Sequence, residues 1–296
     1  MQAANGTAFK KAAKPGHHSN YDPAAAKSEA LLGGLLSPHA ARESEKILAQ
    51  LRAVKPAAEP GKYKVFKALA EHPAGSDAIA GIKVALHAGV EPKLLAQILL
   101  NGHVWKNQDE VVEFLVDLGD VLKKSGRGNA DAISEALRAE HVLGRYLGFL
   151  KAANKGVCGV RYELKVAAFF ARKYPGSQVL LRRSILSWGT KGCSDMDVLV
   201  HLPGAAHLIL IEAKSTVKAA MKSGALRKLM TKIAENPNVV LEEGGAALPI
   251  KEFIFQVGEE LPAAAKNKLE ETLNTFEDWD SLIPKANRAI KEDILN

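Results

Sequence analysis

Apolar residues recur at helical spacing through the first half of the chain and change to short strand-like runs in the second. Residues 1–34 show no apolar period and predict an arm without fixed structure. From residue 37 to 154, segments of helical period follow one another, each with recognisable ends. Ser37-Pro38 is an N-cap followed by proline at the first helical position. Ser76-Asp77 opens a segment with Ile79, Ile82 and Leu86 on one face, and Glu91-Pro92 opens another that closes at Asn101-Gly102. Residues 107–124 repeat the period with Val111, Leu115, Leu118 and Leu122 and are expected to stop at Ser125-Gly126, before a further helix over 131–150. These segments predict an all-α helical bundle domain over 35–155. No repeat of fixed period is visible.

After Asn154-Lys155-Gly156 one more helix is expected over 162–174. Strand-type runs then occupy 178–186, 195–202, 207–213 and 253–257, with a long helix over 216–234 between the last two. Helix, three strands, helix and strand predict an α/β domain over 156–296, a mixed sheet with flanking helices.

Composition narrows the function classes. With 47% apolar and 25% charged residues in 296, the chain is not disordered as a whole. No apolar run approaches the roughly 18–20 residues that cross a bilayer, so no membrane insertion is expected. The N-terminus has lysines but no apolar stretch behind them, so no signal peptide is predicted. Cys158 and Cys193 lie in no CxxC or CxxH pair, which excludes a zinc ribbon and makes a reducing, cytoplasmic compartment the expectation. The net charge of +7 is unevenly spread: +5 over 1–155, +9 over 156–233 and −7 over 234–296. The basic block is where a polyanionic partner would bind.

That block also holds the candidate chemistry. Asp195 and Asp197 head the apolar strand Val198-Leu199-Val200, and the next strand runs Leu208-Ile209-Leu210-Ile211 into Glu212-Ala213-Lys214. Glu212 and Lys214 share a face by strand alternation, and a hairpin through Pro203-Gly204 brings Asp197 beside them. Two close carboxylates need a cation between them, and hard oxygen ligands favour Mg2+ or Mn2+. Glu163 shares the apolar face of its helix with Ala167, Phe170 and Tyr174, so its burial calls for a partner. A metal, a metal-bound water, Lys214, or an arginine such as Arg182 or Arg183 would serve. Glu-x-Lys occurs three times, at Glu91, Glu163 and Glu212, but only the last closes an apolar strand that follows an Asp-led one.

The ordered pattern of helical Glu163, the Asp197 strand, the Glu212-Ala213-Lys214 strand and a basic helix resembles the PD-(D/E)XK nuclease superfamily, of restriction-endonuclease-like fold. It is most similar to the Holliday-junction-resolvase and Mrr-type branches. The resemblance covers roughly residues 156–257. It implies that Asp197 and Glu212 bind Mg2+ or Mn2+ with the carbonyl of Ala213, that Lys214 serves the attacking water, and that Glu163 supports the site. Met196 stands where the pattern has proline, and Lys218 and Lys222 stand where some branches carry glutamine.

Lys191, Lys218, Lys222, Arg227 and Lys228 are the candidate nucleic-acid contacts, joined by Trp188 in the loop 187–192 as a stacking surface. A solvated helix face is the plain alternative for the basic residues, and an ordinary salt bridge for Glu212 and Lys214. The expected function is a metal-dependent endonuclease, DNA first. RNA, including tRNA, is the alternative substrate. The layout also suits a toxin or effector delivered to a target-cell cytoplasm, with an immunity or inhibitor protein. A non-catalytic nucleic-acid-binding or adaptor protein on a degenerate nuclease scaffold is the competing class.

Overall fold

The structure, a computed structural model, describes residues 69, 71–90, 108–146, 150–181, 196–222, 224–241 and 246–292. The elements in chain order are α1 (Gly75–Ala88), α2 (Gln108–Tyr146), α3 (Leu150–Lys173), β1 (Gln178–Leu181), β2 (Val198–His201), β3 (Leu208–Lys214), α4 (Val217–Ala220), α5 (Ala225–Glu235), β4 (Asn238–Val240), β5 (Ala247–Val257), α6 (Ala263–Asn274) and β6 (Arg288–Glu292). Among the described residues the chain is a mixed α/β protein. β1, β2 and β3 form an antiparallel meander. The crossover through α4 and α5 then lays β5 parallel to β3, and β5 also pairs with β4 antiparallel and with β6 parallel.

β3 is central because its apolar run can be buried on both faces. Alternation sends Ile209, Ile211 and Ala213 to one face, where they join Val198, Val200 and Ile254 in a core with the apolar stripes of α1, α2 and α3. Leu208 and Leu210 go to the other face, into a second core with Leu199, Phe253, Phe255, α5, α6 and Trp279.

Several boundaries differ from those the sequence predicts. The helix expected to stop at Ser125-Gly126 continues to Tyr146. A glycine inside a helix costs only about 1 kcal/mol, and Ala130 and Ile133 carry on the buried stripe of Leu115, Leu118 and Leu122 across it. The boundary expected at 155/156 falls inside α3, and the helices before it share their core with one face of the sheet. The helix expected over 216–234 is two helices, broken at Gly224, whose φ of 72° favours glycine. β5 begins at Ala247 rather than 253, and β4, α6 and β6 are additional. The segments expected over 1–34, 37–68, 93–100 and 182–195 lie outside the described residues.

Polar contacts fix the helices and the C-terminal region to the sheet. Arg172 on α3 binds Asp117 and Asp120 of α2, each at 2.9 Å, and Arg161 binds Glu110 and Glu113. Buried Asn129 of α2 donates to Val179 O at 2.7 Å and accepts from Leu181 N–H at 2.9 Å, so its amide pairs with β1 as a neighbouring strand would. The indole N–H of Trp279 donates to Met230 O at 2.8 Å. The Arg288 guanidinium, with 1% of its side chain exposed, donates to Leu273 O, Ile283 O and Asp280. The acidic C-terminal region is thus part of the second core.

Candidate functional site

Antiparallel pairing places Val198 opposite Ile211, so Asp197, one residue before β2, stands beside the end of β3. Its Oδ2 accepts from the Ala213 N–H at 2.9 Å and from Lys214 Nζ at 3.0 Å. Lys214 Nζ also donates to Glu212 Oε1 and lies 3.3 Å from Ala213 O. The side chains of Asp197, Glu212 and Lys214 are only 14%, 15% and 22% exposed, unlike an ordinary surface ion pair. Asp197, Glu212, Ala213 and Lys214 are therefore brought together as the spacing predicts.

Burial, reinforced by the Asp197 charge, pushes the Glu212 carboxyl up to about 8, with Lys214 offsetting part of that rise. For Lys214, burial works against the charged form, but Asp197 and Glu212 outweigh it and hold the ammonium at about 12. The lysine is fully protonated at neutral pH.

Glu163 is placed differently. It is buried on α3, beside Tyr162, and α3 packs on the sheet face of Ile211 and Ala213, opposite in alternation to Glu212 and Lys214. Tyr162 marks how far α3 reaches: a Cβ on Gly258 would lie 2.6 Å from its ring. Gly258 N–H donates to Lys214 O at 2.9 Å, so this turn of α3 lies at the same end of the sheet as the site. The described hydrogen bonds of Asp197, Glu212 and Lys214 do not include Glu163.

Of the basic candidates, Lys218, Lys222, Arg227 and Lys228 are all exposed. β3 and β5 are parallel, so the chain must return from the end of β3 to the start of β5. The first turn of α5, with Arg227 and Lys228, therefore lies toward the Lys214 end of the sheet. Asp195, Arg182, Arg183, Trp188 and Lys191 lie outside the described residues.

Two neighbours escape the sequence reading. Gln256, 1% exposed, pairs in register with Ala213, and its only signal is a lone polar residue in the apolar run of β5. Glu259 Oε2 accepts from Val217 N–H at 2.7 Å at the start of α4, and nothing in the sequence marks that contact.

Among the described residues no cluster of three or more His, Cys, Asp or Glu side chains could hold a metal. The oxygen set here is two carboxylates and one carbonyl, all gathered on a single cationic atom, Lys214 Nζ. Such a hard-oxygen set fits Mg2+ or Mn2+, since Mg2+ keeps several waters and takes one or two carboxylates from a protein.

No protein-family model, curated protein or solved structure matches this chain. What the site can do has to be read from its own groups. Among the described residues no helix is long and apolar enough to cross a membrane.

Proposed function

We propose that the chain is a metal-dependent endonuclease of restriction-endonuclease-like fold that hydrolyses phosphodiester bonds, with DNA the first substrate and RNA the second. The observation that carries this reading is the convergence of Asp197 Oδ2, Glu212 Oε1 and Ala213 O on one cation position at the end of a buried strand. The strand order, an antiparallel meander followed by a helical crossover to a parallel strand, agrees with that fold.

Asp197, Glu212 and the Ala213 carbonyl hold Mg2+ or Mn2+. When bound, the metal polarises a phosphoryl oxygen and lowers the pKa of its water. Lys214 remains protonated, so it orients the attacking water and offsets phosphate charge rather than removing a proton. Lys218, Lys222, Arg227 and Lys228 hold the backbone by charge, with a strong salt dependence.

A second reading is favoured by the count of acidic groups. Two carboxyl groups that share one lysine also suit a scaffold that binds nucleic acid without cutting it. Incubating plasmid DNA and total RNA with the protein in Mg2+ or in EDTA separates the two. Cleavage in Mg2+ that is lost in EDTA and in both Asp197→Ala and Lys214→Ala supports the nuclease. Metal-independent binding with no cleavage in Mg2+ or Mn2+ supports the scaffold.

A further inference from the structure

We propose that Lys214 is a built-in competitor of the divalent cation, its ammonium filling the cation position until a phosphate backbone draws it away. This rests on Asp197, Glu212 and Ala213 being the metal's ligands. An ammonium has three N–H donors, and those of Lys214 face Asp197 Oδ2 at 3.0 Å, Glu212 Oε1, and Ala213 O at 3.3 Å. All three oxygens are those assigned to the metal. A divalent cation at about 2.0–2.1 Å from the same three oxygens would stand within a few ångströms of the ammonium, and the two positive charges repel in a sheltered site.

The energetics run in one direction. Without any cation, Asp197 and Glu212 crowd two acidic groups into one sheltered position, and Lys214 is the counter-ion on hand. Loading metal therefore costs the protein three charge-assisted contacts, and the apparent metal affinity is reduced to the fraction of time that the ammonium leaves the position free. The four-carbon stem lets the ammonium move to another anion. A phosphate beside the site offers one, so polyanion and metal bind with positive cooperativity.

Binding of Mn2+ to the full chain, read as loss of the free-ion EPR signal, tests this in the wild type and in Lys214→Met, Lys214→Gln and Asp197→Asn. Both Lys214 variants should bind Mn2+ tighter than wild type by about tenfold or more, as removal of one charge from a sheltered carboxylate pair implies. Asp197→Asn should bind it more weakly. A phosphorothioate duplex, which slows cleavage, should tighten Mn2+ binding in the wild type and much less in the Lys214 variants, once the Mn2+ bound by the duplex alone is subtracted. Melting curves in EDTA report folding, and Lys214→Gln keeps a donor for Asp197 in case the methionine variant unfolds. Equal Mn2+ affinity in wild type and a folded Lys214 variant would overturn the competition while leaving the metal site standing. Absence of Mn2+ binding from every variant would overturn the metal site as well.

Discussion

The main-chain N–H of Ala213 donates to Asp197 Oδ2 at 2.9 Å, sixteen residues back along the chain. The carboxylate at the mouth of β2 thus does two things. It gives a buried strand donor its acceptor, and it holds one side of the Lys214 ammonium. Structure and candidate chemistry are joined in one oxygen, and the two can be separated by choice of substitution.

Asp197→Asn keeps an oxygen for the Ala213 N–H and removes the charge. Asp197→Ala removes both and leaves a sheltered donor unpaired, at about 1–3 kcal/mol. Both should abolish Mg2+-dependent cleavage. In urea denaturation the alanine variant should be the less stable of the two, and equal stability would show that the hydrogen bond contributes nothing.

Glu212 gives a pH signature. Its ordinary value is 4.5 and its folded value about 8, so between those the folded protein holds a proton that the unfolded chain has released. Stability therefore falls as pH rises through that window and levels off above it. Asp117, pushed by burial up to about 6, has the same sign at lower pH, so the range from 6 to 8 isolates Glu212. In EDTA, Glu212→Gln should gain on the wild type by a few degrees in Tm between pH 5 and pH 8.5. A difference that stays constant with pH would show that Glu212 is not held protonated by the fold.

Asn129→Ala tests the closure of β1. The variant leaves Val179 O and Leu181 N–H without their side-chain partner, which should cost about 2–4 kcal/mol for two sheltered backbone groups. It also frees an edge strand that can pair with another chain. Chemical denaturation should show the loss, and size-exclusion chromatography should show self-association on warming. A monomer of unchanged stability would count against the role.

The centre of the fold was legible where local pattern and tertiary environment agree. Four apolar residues ending in Glu212-Ala213-Lys214 can only be a buried strand with a polar end, and the hairpin brought Asp197 to it. The helix break at Ser125-Gly126 was misread because packing of Leu122, Ala130 and Ile133 outweighs the propensity of two glycines, Gly126 and Gly128. β4 and β6 escaped because strands of only three and five residues gain their stability from β5, a partner that local sequence does not identify. Arg288 looks like a surface residue by type, and it is buried only because Leu273, Ile283 and Asp280 are folded around it. Helix periodicity marked Glu163 as buried, which it is, but periodicity gives the face of a helix and not the face of the sheet it meets.

A fragment starting at residue 156 tests whether the α/β half stands alone. The cut falls within α3 and removes α1 and α2, whose Ile79, Ile82, Leu115 and Leu118 belong to the core on the Ile211 face. It also strips Arg161 and Arg172 of their carboxylates and β1 of Asn129. Lost apolar cover is worth about 25 cal/mol per Å2, against a net stability of only about 5–15 kcal/mol for a domain. The fragment 156–296 should therefore bind ANS, lack a cooperative melt and elute as aggregate, while the full chain melts cooperatively. Any cleavage lost in this fragment reflects unfolding and says nothing about where the chemistry resides. A monomeric fragment with a sharp thermal transition would show instead that the sheet face is stable without α1 and α2.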